Sequence, residues 1–246
     1  MCDHCHASLP PGETRREFIR KLAVATAAVG VMGTARVAAA QAAAPATLPT
    51  AGWARLITPH REWDFHRDRE SHEVEFLRQD PTLNFNTRSA TVHPDDLADL
   101  CRSPFIFTFD MTMISSGRAW ENIREYLYRG GFLYVDNCVH VSPDIRAYRE
   151  DHLRRLTRLL PASEWRRLSD DHPIYRARYP IKVKALPDDQ NTPPDQLRAL
   201  YGVFDDDRMV ALVSMAHLFC GWPEHPEYVD ACMKQMANIY AYSRSH

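Results

Sequence analysis

Two short apolar runs constrain the fold of this 246-residue chain more than any other feature. The runs FIFTFD at 105–110 and FLYVD at 132–136 are rich in aromatic and β-branched residues, and their length is typical of buried strands. Between them, apolar side chains recur every four residues at Ala119, Ile123 and Leu127, which predicts a helix with one apolar face. This order of strand, helix and strand predicts two parallel strands joined by a crossover helix.

The same alternation continues through the rest of the chain. The further elements that we predict are strands at 53–58, 83–88, 201–204 and 209–215, and helices at 67–79, 93–100, 142–160 and 229–240. The predicted fold class is therefore α/β, with a flavodoxin-like, doubly wound and mostly parallel sheet that carries helices on both faces. One antiparallel hairpin is expected at the edge of the sheet, around the turn Asp205–Asp207.

The first 46 residues have the order of an export signal. Arg15 and Arg16 lie in the stretch TRREFIRK, which resembles the twin-arginine signal that carries folded proteins across the bacterial inner membrane. The apolar run Leu22–Ala35 follows, and then the small residues Ala38–Ala40 form a cleavage-site pattern. We therefore predict an N-terminal apolar helix and a domain on the periplasmic side of the inner membrane, with the N-terminus in the cytoplasm.

Cleavage of this signal and its retention as a membrane anchor are both compatible with the sequence. The apolar run is shorter than a spanning helix of about 20 residues, which favours cleavage. Arg36 has a long side chain that can reach the membrane surface, so an anchor over 22–45 is the alternative. The predicted organisation is a signal or anchor at 1–46, a linker at 47–52 and a single α/β domain at 53–246.

The chain opens with Cys2, Cys5 and His6 in the C-x-x-C-H spacing that attaches c-type haem. Residues that precede the twin arginines stay in the cytoplasm, whereas haem is attached on the far side of the membrane. We therefore reject a haem site and predict no bound cofactor, with a divalent metal ion as the alternative.

The charge balance of the chain gives no indication of a nucleic-acid partner, because 30 Lys and Arg residues face 32 Asp and Glu residues. The cysteines that follow the signal are Cys101, Cys138, Cys220 and Cys232. The periplasm permits disulfides, and four cysteines allow three pairings. Export of an already folded domain also fits buried free thiols, which we favour.

Several motifs resemble one bacterial protein family. They are L-x-x-G-G-F-L-x-V-D at 127–136, D-H-P-I-Y at 171–175, Cys220-Gly221-Trp222, and Asn238-Ile239-Tyr240. Together they are similar to the bacterial domain-of-unknown-function family 4159, over residues 53–243. The resemblance implies a fold like that of the class I glutamine amidotransferase domain, and it implies no particular activity.

Ligands bind outside the carboxyl ends of the strands in open α/β sheets. The ligand-crevice residues predicted on this basis are Asp110, Asp136, Asn137, His140, Asp171 and His172. A divalent metal held by the oxygen and imidazole donors of Asp136, His140, Asp171 and His172 is one hypothesis. A capped turn is the alternative interpretation of Asp171 and His172.

The amidotransferase likeness also implies a catalytic arrangement. It places the nucleophile at Cys138 and the base and its orienting group at His225 and Glu227, so that a thiolate attacks an acyl or amide carbon. The chain departs from the G-x-C-x-G elbow of that fold, since Asp136 and His140 stand at the glycine positions. The alternative is that Cys138 packs in the interior and His225-Pro226-Glu227 starts a helix.

Arginines concentrate between 146 and 167. The predicted interface residues are Arg146, Arg149, Arg154, Arg155, Arg158 and Trp165. Arginine and tryptophan together are typical of docking surfaces, and an acidic protein surface or lipid headgroups would suit this charge. A solvated helix face is the alternative.

These observations favour a non-catalytic periplasmic domain that serves as a membrane-anchored accessory subunit of a membrane complex. The expected partners are other subunits of that complex, of respiratory or photosynthetic type, and the membrane itself through residues 22–45. A periplasmic hydrolase or amidotransferase-like enzyme that uses Cys138 or a metal is the second hypothesis. A module that binds a small ligand without chemistry is the third.

Overall fold

Seven strands form one sheet in the computed structural model, which describes residues 48, 51–85, 88–138, 144–187, 194–219 and 226–245. The strands are β1 (Ala54–Leu56), β2 (Ala90–Val92), β3 (Phe105–Thr108), β4 (Phe132–Asp136), β5 (Glu164–Arg167), β6 (Leu200–Asp205) and β7 (Arg208–Ser214). The α-helices are α1 (Arg67–Gln79), α2 (Leu97–Leu100), α3 (Gly117–Tyr128), α4 (Ile145–Leu159) and α5 (Val229–Ser245). Short 3-10 helices lie at Pro81–Leu83, Pro173–Tyr175, Val183–Ala185 and Pro226–Tyr228.

The strand order across the sheet is β2-β1-β3-β4-β7-β6-β5. The first five strands in this order are parallel, and β6 is antiparallel to both of its neighbours. The predicted α/β class with a mostly parallel sheet is confirmed. The predicted hairpin is β6–β7, but β5 lies outside it at the edge of the sheet. The strand predicted at 83–88 is wrong, because Leu83 ends a 3-10 helix and β2 begins at Ala90.

Helices cover both faces of the sheet. Phe105, Phe107 and Tyr134 belong to the hydrophobic core beneath α1 and α5. Ile106 and Leu133 belong to a second core, beneath α2, α3 and α4. This division follows from the two-residue period of a strand, which sends successive side chains to opposite faces.

Two glycines at the end of α3 have separate structural roles. Gly130 has a φ of 99°, in the left-handed region that favours glycine, and it ends the helix as the sequence predicts. Gly131 allows a close approach, because a Cβ atom there would lie 2.3 Å from Cζ of Tyr126. The Tyr126 hydroxyl lies 3.2 Å from both the backbone nitrogen and the carbonyl oxygen of Phe132, so this ring fixes the end of α3 against the start of β4.

A buried ion pair joins the first strand to the first helix. Nε of Arg55 lies 2.7 Å from Oε2 of Glu70, and each side chain is 1 % exposed. The Arg55 guanidinium also donates to the carbonyl oxygens of Trp63 at 3.2 Å and Phe65 at 2.5 Å. Glu70 in turn accepts a hydrogen bond from Nε1 of Trp53 at 2.8 Å. Burial lowers the pKa of the Arg55 guanidinium, and the Glu70 carboxylate opposes that change.

The predicted signal or anchor and the C-x-x-C-H stretch fall in residues 1–47, outside the described residues. Within the described ranges, no helix combines the length and the apolar character that crossing a bilayer requires. The cysteines that the structure describes are Cys101, Cys138 and Cys232, which are buried, and no disulfide joins any two of them. Cys220 lies outside the described residues.

We expect Glu70→Ala to lower the free energy of unfolding by about 3–5 kcal/mol, because it leaves the buried Arg55 guanidinium without its counterion. Urea-induced unfolding followed by circular dichroism measures this change. Glu75→Ala is the matched control, since Glu75 lies on the exposed side of α1 and pairs there with Arg78. We expect that control to cost less than about 1 kcal/mol. Equal losses in the two variants would contradict the structural role of the buried pair.

Candidate functional site

Polar side chains gather where three neighbouring strands end. Asp110 follows β3, Asp136 and Asn137 close β4, and His217 follows β7; all four side chains are buried. Because β3, β4 and β7 are parallel neighbours, their carboxyl ends open on the same edge of the sheet. The structure therefore brings the predicted crevice residues Asp110, Asp136 and Asn137 to one place.

Cys138 pairs with a histidine that the sequence reasoning missed. Its Sγ lies 3.6 Å from Nε2 of His66, the residue that immediately precedes α1. A guanidinium nitrogen of Arg69 lies 3.3 Å from the same imidazole nitrogen. A guanidinium can only donate hydrogen bonds, so we assign Nε2 of His66 as the acceptor of the bond from Arg69. The ring proton of His66 is then assigned to Nδ1. An imidazole in this tautomer is able to take the proton of the thiol.

His66 could have been found from topology alone. It follows β1, whose carboxyl end opens on the same edge of the sheet as that of β4. Its backbone has a φ of 59°, a left-handed conformation that is uncommon outside glycine and that recurs at functional sites.

Cys138 itself lacks the geometry of a nucleophile elbow. In such an elbow the nucleophile occupies a strained turn between a strand and a helix, with its side chain exposed. Cys138 does not have a positive φ, and its side chain is fully buried. The next helix among the described residues, α4, starts at Ile145.

The Asp136 carboxyl is held by a backbone amide. The nitrogen of Phe219 donates to Oδ2 of Asp136 at 3.1 Å. Burial raises the pKa of Asp136, and the nearby Ser214 hydroxyl and His217 oppose that rise. Nδ2 of Asn137 lies 3.2 Å from Nε2 of His217, so the residue next to Asp136 is tied to the segment that follows β7.

A further buried carboxyl lies close to this group. Glu73, on α1, is fully buried, and within the described part of the chain neither of its oxygens has a hydrogen-bond partner. Burial raises the pKa of Glu73 well above the usual range of a glutamate. Burial also raises the pKa of the Cys232 thiol on α5, and the charges of Asp136 and Glu73 raise it further. Cys232 thus lies within electrostatic reach of both carboxyls.

Helix α4 fixes the other side of the crevice. Nε2 of His152 lies 3.1 Å from Oδ1 of Asp110, and Nδ1 lies 2.7 Å from the carbonyl oxygen of Tyr148. Burial alone would raise the pKa of Asp110, but contacts with His152 and with the following loop outweigh burial and lower it. The Tyr148 hydroxyl lies 2.5 Å from the carbonyl oxygen of Phe109 and 2.8 Å from that of Asp136, so it bridges the ends of β3 and β4.

Asp171 and His172 are not part of this group. They follow β5, which lies three strands away from β4 in the sheet. At roughly 4.8 Å per strand, this separation is about 14 Å. Asp171 is exposed, and Nδ1 of His172 accepts a hydrogen bond from the nitrogen of Ile174 at 3.2 Å. These two residues therefore belong to a capped turn.

The remaining predicted site residues do not complete a metal or catalytic centre in the described ranges. His140 and His225 lie outside the described residues, and Glu227 is exposed in the 3-10 helix before α5. Among the residues that the structure describes, no group of three His, Cys, Asp or Glu side chains is arranged to hold a metal ion.

The predicted interface residues lie on α4 and β5. The exposed ones are Arg146, Arg154, Arg158 and Trp165, and the partly buried ones are Arg149 and Arg155. The Arg149 guanidinium lies 5.5 Å from the centre of the Tyr201 ring, and the Trp165 ring lies 5.9 Å from it. Tyr201 thus joins α4 to β5 beneath this surface.

A family model described as Domain of unknown function (DUF4159) matches residues 53–243. The chain belongs to this family. The resemblance identified from the sequence motifs is thereby confirmed over the same residues. In this DUF4159 domain, the glycine motif at 127–136 forms the corner between α3 and β4, and D-H-P-I-Y forms the capped turn after β5. Comparison with curated proteins gave no match.

We expect the buried Glu73 carboxyl to make the domain less stable as pH rises. Its pKa is raised in the folded state, so above about pH 4.3 the unfolded chain releases a proton that the folded chain still holds. The free energy of unfolding then falls by up to about 1.4 kcal/mol per pH unit until the folded-state pKa is reached.

Glu73→Gln removes this titration and keeps the shape of the side chain. Urea unfolding at several pH values from about 5 to 8 should give a flatter pH dependence for the variant and a higher stability than wild type at neutral pH. The contribution of Asp136 remains in both proteins and cancels in the comparison. Parallel pH profiles would show that Glu73 is ionised and paired in the folded protein.

Proposed function

We propose that this DUF4159 domain is a non-catalytic accessory subunit of a membrane complex, held on the periplasmic side of the bacterial inner membrane by residues 22–45. The proposed scaffold is flavodoxin-like and related to the class I glutamine amidotransferase domain. The twin-arginine pattern supports the location, and association of such signals with energy-transducing systems favours a respiratory or photosynthetic host.

The observation that carries the proposal is the row of exposed arginines on α4. Arg146, Arg154 and Arg158 are exposed on one helix, and only Arg154 has an acidic partner, Asp151, among the described residues. Residues 144–167 contain seven arginines and four acidic residues, although the whole chain has a slight acidic excess. A charge concentrated on one element gives a partner with acidic groups a defined place to bind.

The geometry around Cys138 supports the non-catalytic part of the proposal. A thiol that attacks a substrate must be reached by that substrate, and elbow nucleophiles are exposed on a strained turn. Cys138 is buried and does not have the positive φ of such a turn. The contacts of Asp136 and Asn137 support a different role for this edge, because they tie β4 to the segment after β7.

We expect Arg146→Glu combined with Arg158→Glu to abolish co-purification of the protein with its host complex in mild detergent. The two substitutions reverse the charge where no acidic partner within the described chain compensates it. Arg61→Glu combined with Arg88→Glu is the control. It makes the same charge change close to β1 and β2, at the edge of the sheet opposite to β5. Retention of both double variants in the complex would contradict docking through α4.

A thiol-dependent hydrolase is the second candidate, and the 3.6 Å contact between Cys138 and His66 favours it. In that function His66 would take the thiol proton and the resulting thiolate would attack an acyl carbon. The bond from that carbon to the leaving group would then break, and the protonated His66 would give its proton to the leaving group. The base would then be His66 rather than the predicted His225.

Selective alkylation separates the two candidates. The non-catalytic proposal predicts that Cys138 in the native protein reacts with iodoacetamide near neutral pH no faster than buried Cys101, as measured by peptide mass spectrometry. Fast alkylation of Cys138 that slows in His66→Ala would instead establish an activated thiol, and the hydrolase would replace the accessory subunit.

A further inference from the structure

Strand β5 forms the outer edge of the sheet, with no strand beyond it in the part of the chain that the structure describes. The nitrogen of Leu168 donates to the carbonyl oxygen of Leu200 on the inner side, at 2.9 Å. Because backbone groups alternate in direction along a strand, Arg166 and Glu164 also point their backbone groups inward. The N–H and C=O groups of Trp165 and Arg167 therefore point outward, where another strand could bind.

The side chains of β5 are all exposed, and they divide between the two faces of the sheet. Trp165 lies on the α4 face, against Tyr201, and 47 % of it is exposed. Glu164 and Arg166 share the other face, where their charged groups lie 3.5 Å apart. The strand thus presents Trp165 and Arg167 on one face and an opposite-charge pair on the other.

We propose that two copies of this protein dimerise by antiparallel pairing of their β5 strands about a two-fold axis at Trp165. Trp165 then lies opposite Trp165 of the partner subunit, and their outward N–H and C=O groups exchange two hydrogen bonds. Glu164 lies opposite Arg166 of the partner subunit, and the symmetry repeats this ion pair. Glu164 and Arg166 therefore each meet an opposite charge, Arg167 lies outside the ion pairs, and the two exposed indoles cover each other.

This register is selected by side-chain direction and by charge. Residues directly opposite each other in a sheet share a face, so pairing Glu164 with Arg167 of the partner subunit is excluded. A two-fold axis at Arg166 satisfies that rule, but it places Arg166 opposite Arg166 of the partner subunit. Like charges in directly opposite positions are destabilising.

Arginines on an edge strand more often prevent pairing than promote it. In β5 the effect of Arg166 depends on the partner strand. Glu164 supplies the complementary charge only when two β5 strands pair about an axis at Trp165. A strand without a carboxylate two residues before its arginine gains no such compensation. The edge therefore discriminates in favour of a second copy of the same chain.

The experiment exchanges the charges of Glu164 and Arg166, singly and together, in the full chain purified as the cell produces it. Light scattering during size-exclusion chromatography measures the molar mass of each variant in solution. Glu164→Arg places arginine against arginine, and Arg166→Glu places glutamate against glutamate. We expect each single substitution to raise the dimer dissociation constant about ten-fold or more. The double variant Glu164→Arg/Arg166→Glu restores both ion pairs, and we expect it to dimerise like wild type.

Trp165→Pro tests the backbone pairing separately, because proline removes the outward N–H and is tolerated on an edge strand. A monomeric Trp165→Pro variant with an unchanged circular dichroism spectrum supports the proposal. A wild-type protein that is monomeric at tens of micromolar overturns it, as does a dimer that neither single charge substitution weakens. The arginine row of α4 is unchanged in all of these variants, so the result does not depend on the proposed docking function.

Discussion

The buried ion pair between Arg55 and Glu70 is the interaction on which the arrangement of this domain depends. Arg55 lies in β1, and its guanidinium packs 5.0 Å from the centre of the Phe107 ring and 5.2 Å from that of Phe109, both of which come from β3 or just after it. Through Glu70 the same guanidinium fixes α1 on the sheet. Since a buried charge without its partner is costly, α1 has only one favourable position on this face.

The position of α1 in turn determines the composition of the crevice. His66 and Arg69 lie in its first turn or directly before it, so they reach Cys138 and the carbonyl of Phe219. Glu73 lies one turn further along, facing the interior. On the opposite face, Tyr148 of α4 bridges the same strand ends. Contacts from both faces of the sheet fix these strand ends. Such an arrangement is better suited to keep the domain in one conformation than to open for a substrate.

The elements that the sequence predicted well are those whose signal is local. The apolar runs of β3 and β4, the spacing in α3 and the glycine pair at 130–131 carry their own periodicity or turn chemistry. Strand β5 was missed because all four of its side chains are exposed, so E-W-R-R has no apolar alternation. Arg55 was missed because an arginine is rarely buried, and its role depends on Glu70, fifteen residues away in the sequence. The contact between Cys138 and His66 likewise joins distant segments.

The central claim is that this domain works while tethered to the periplasmic face of the inner membrane as part of a complex. The intact mass of the protein isolated from native membranes tests that claim most directly. The account predicts a mass that includes residues 22–45 and contains no haem, in a fraction with other chains at fixed stoichiometry. A mass that begins near Gln41, recovered in the soluble periplasmic fraction without other chains, would contradict it and would favour a released enzyme or ligand-binding protein.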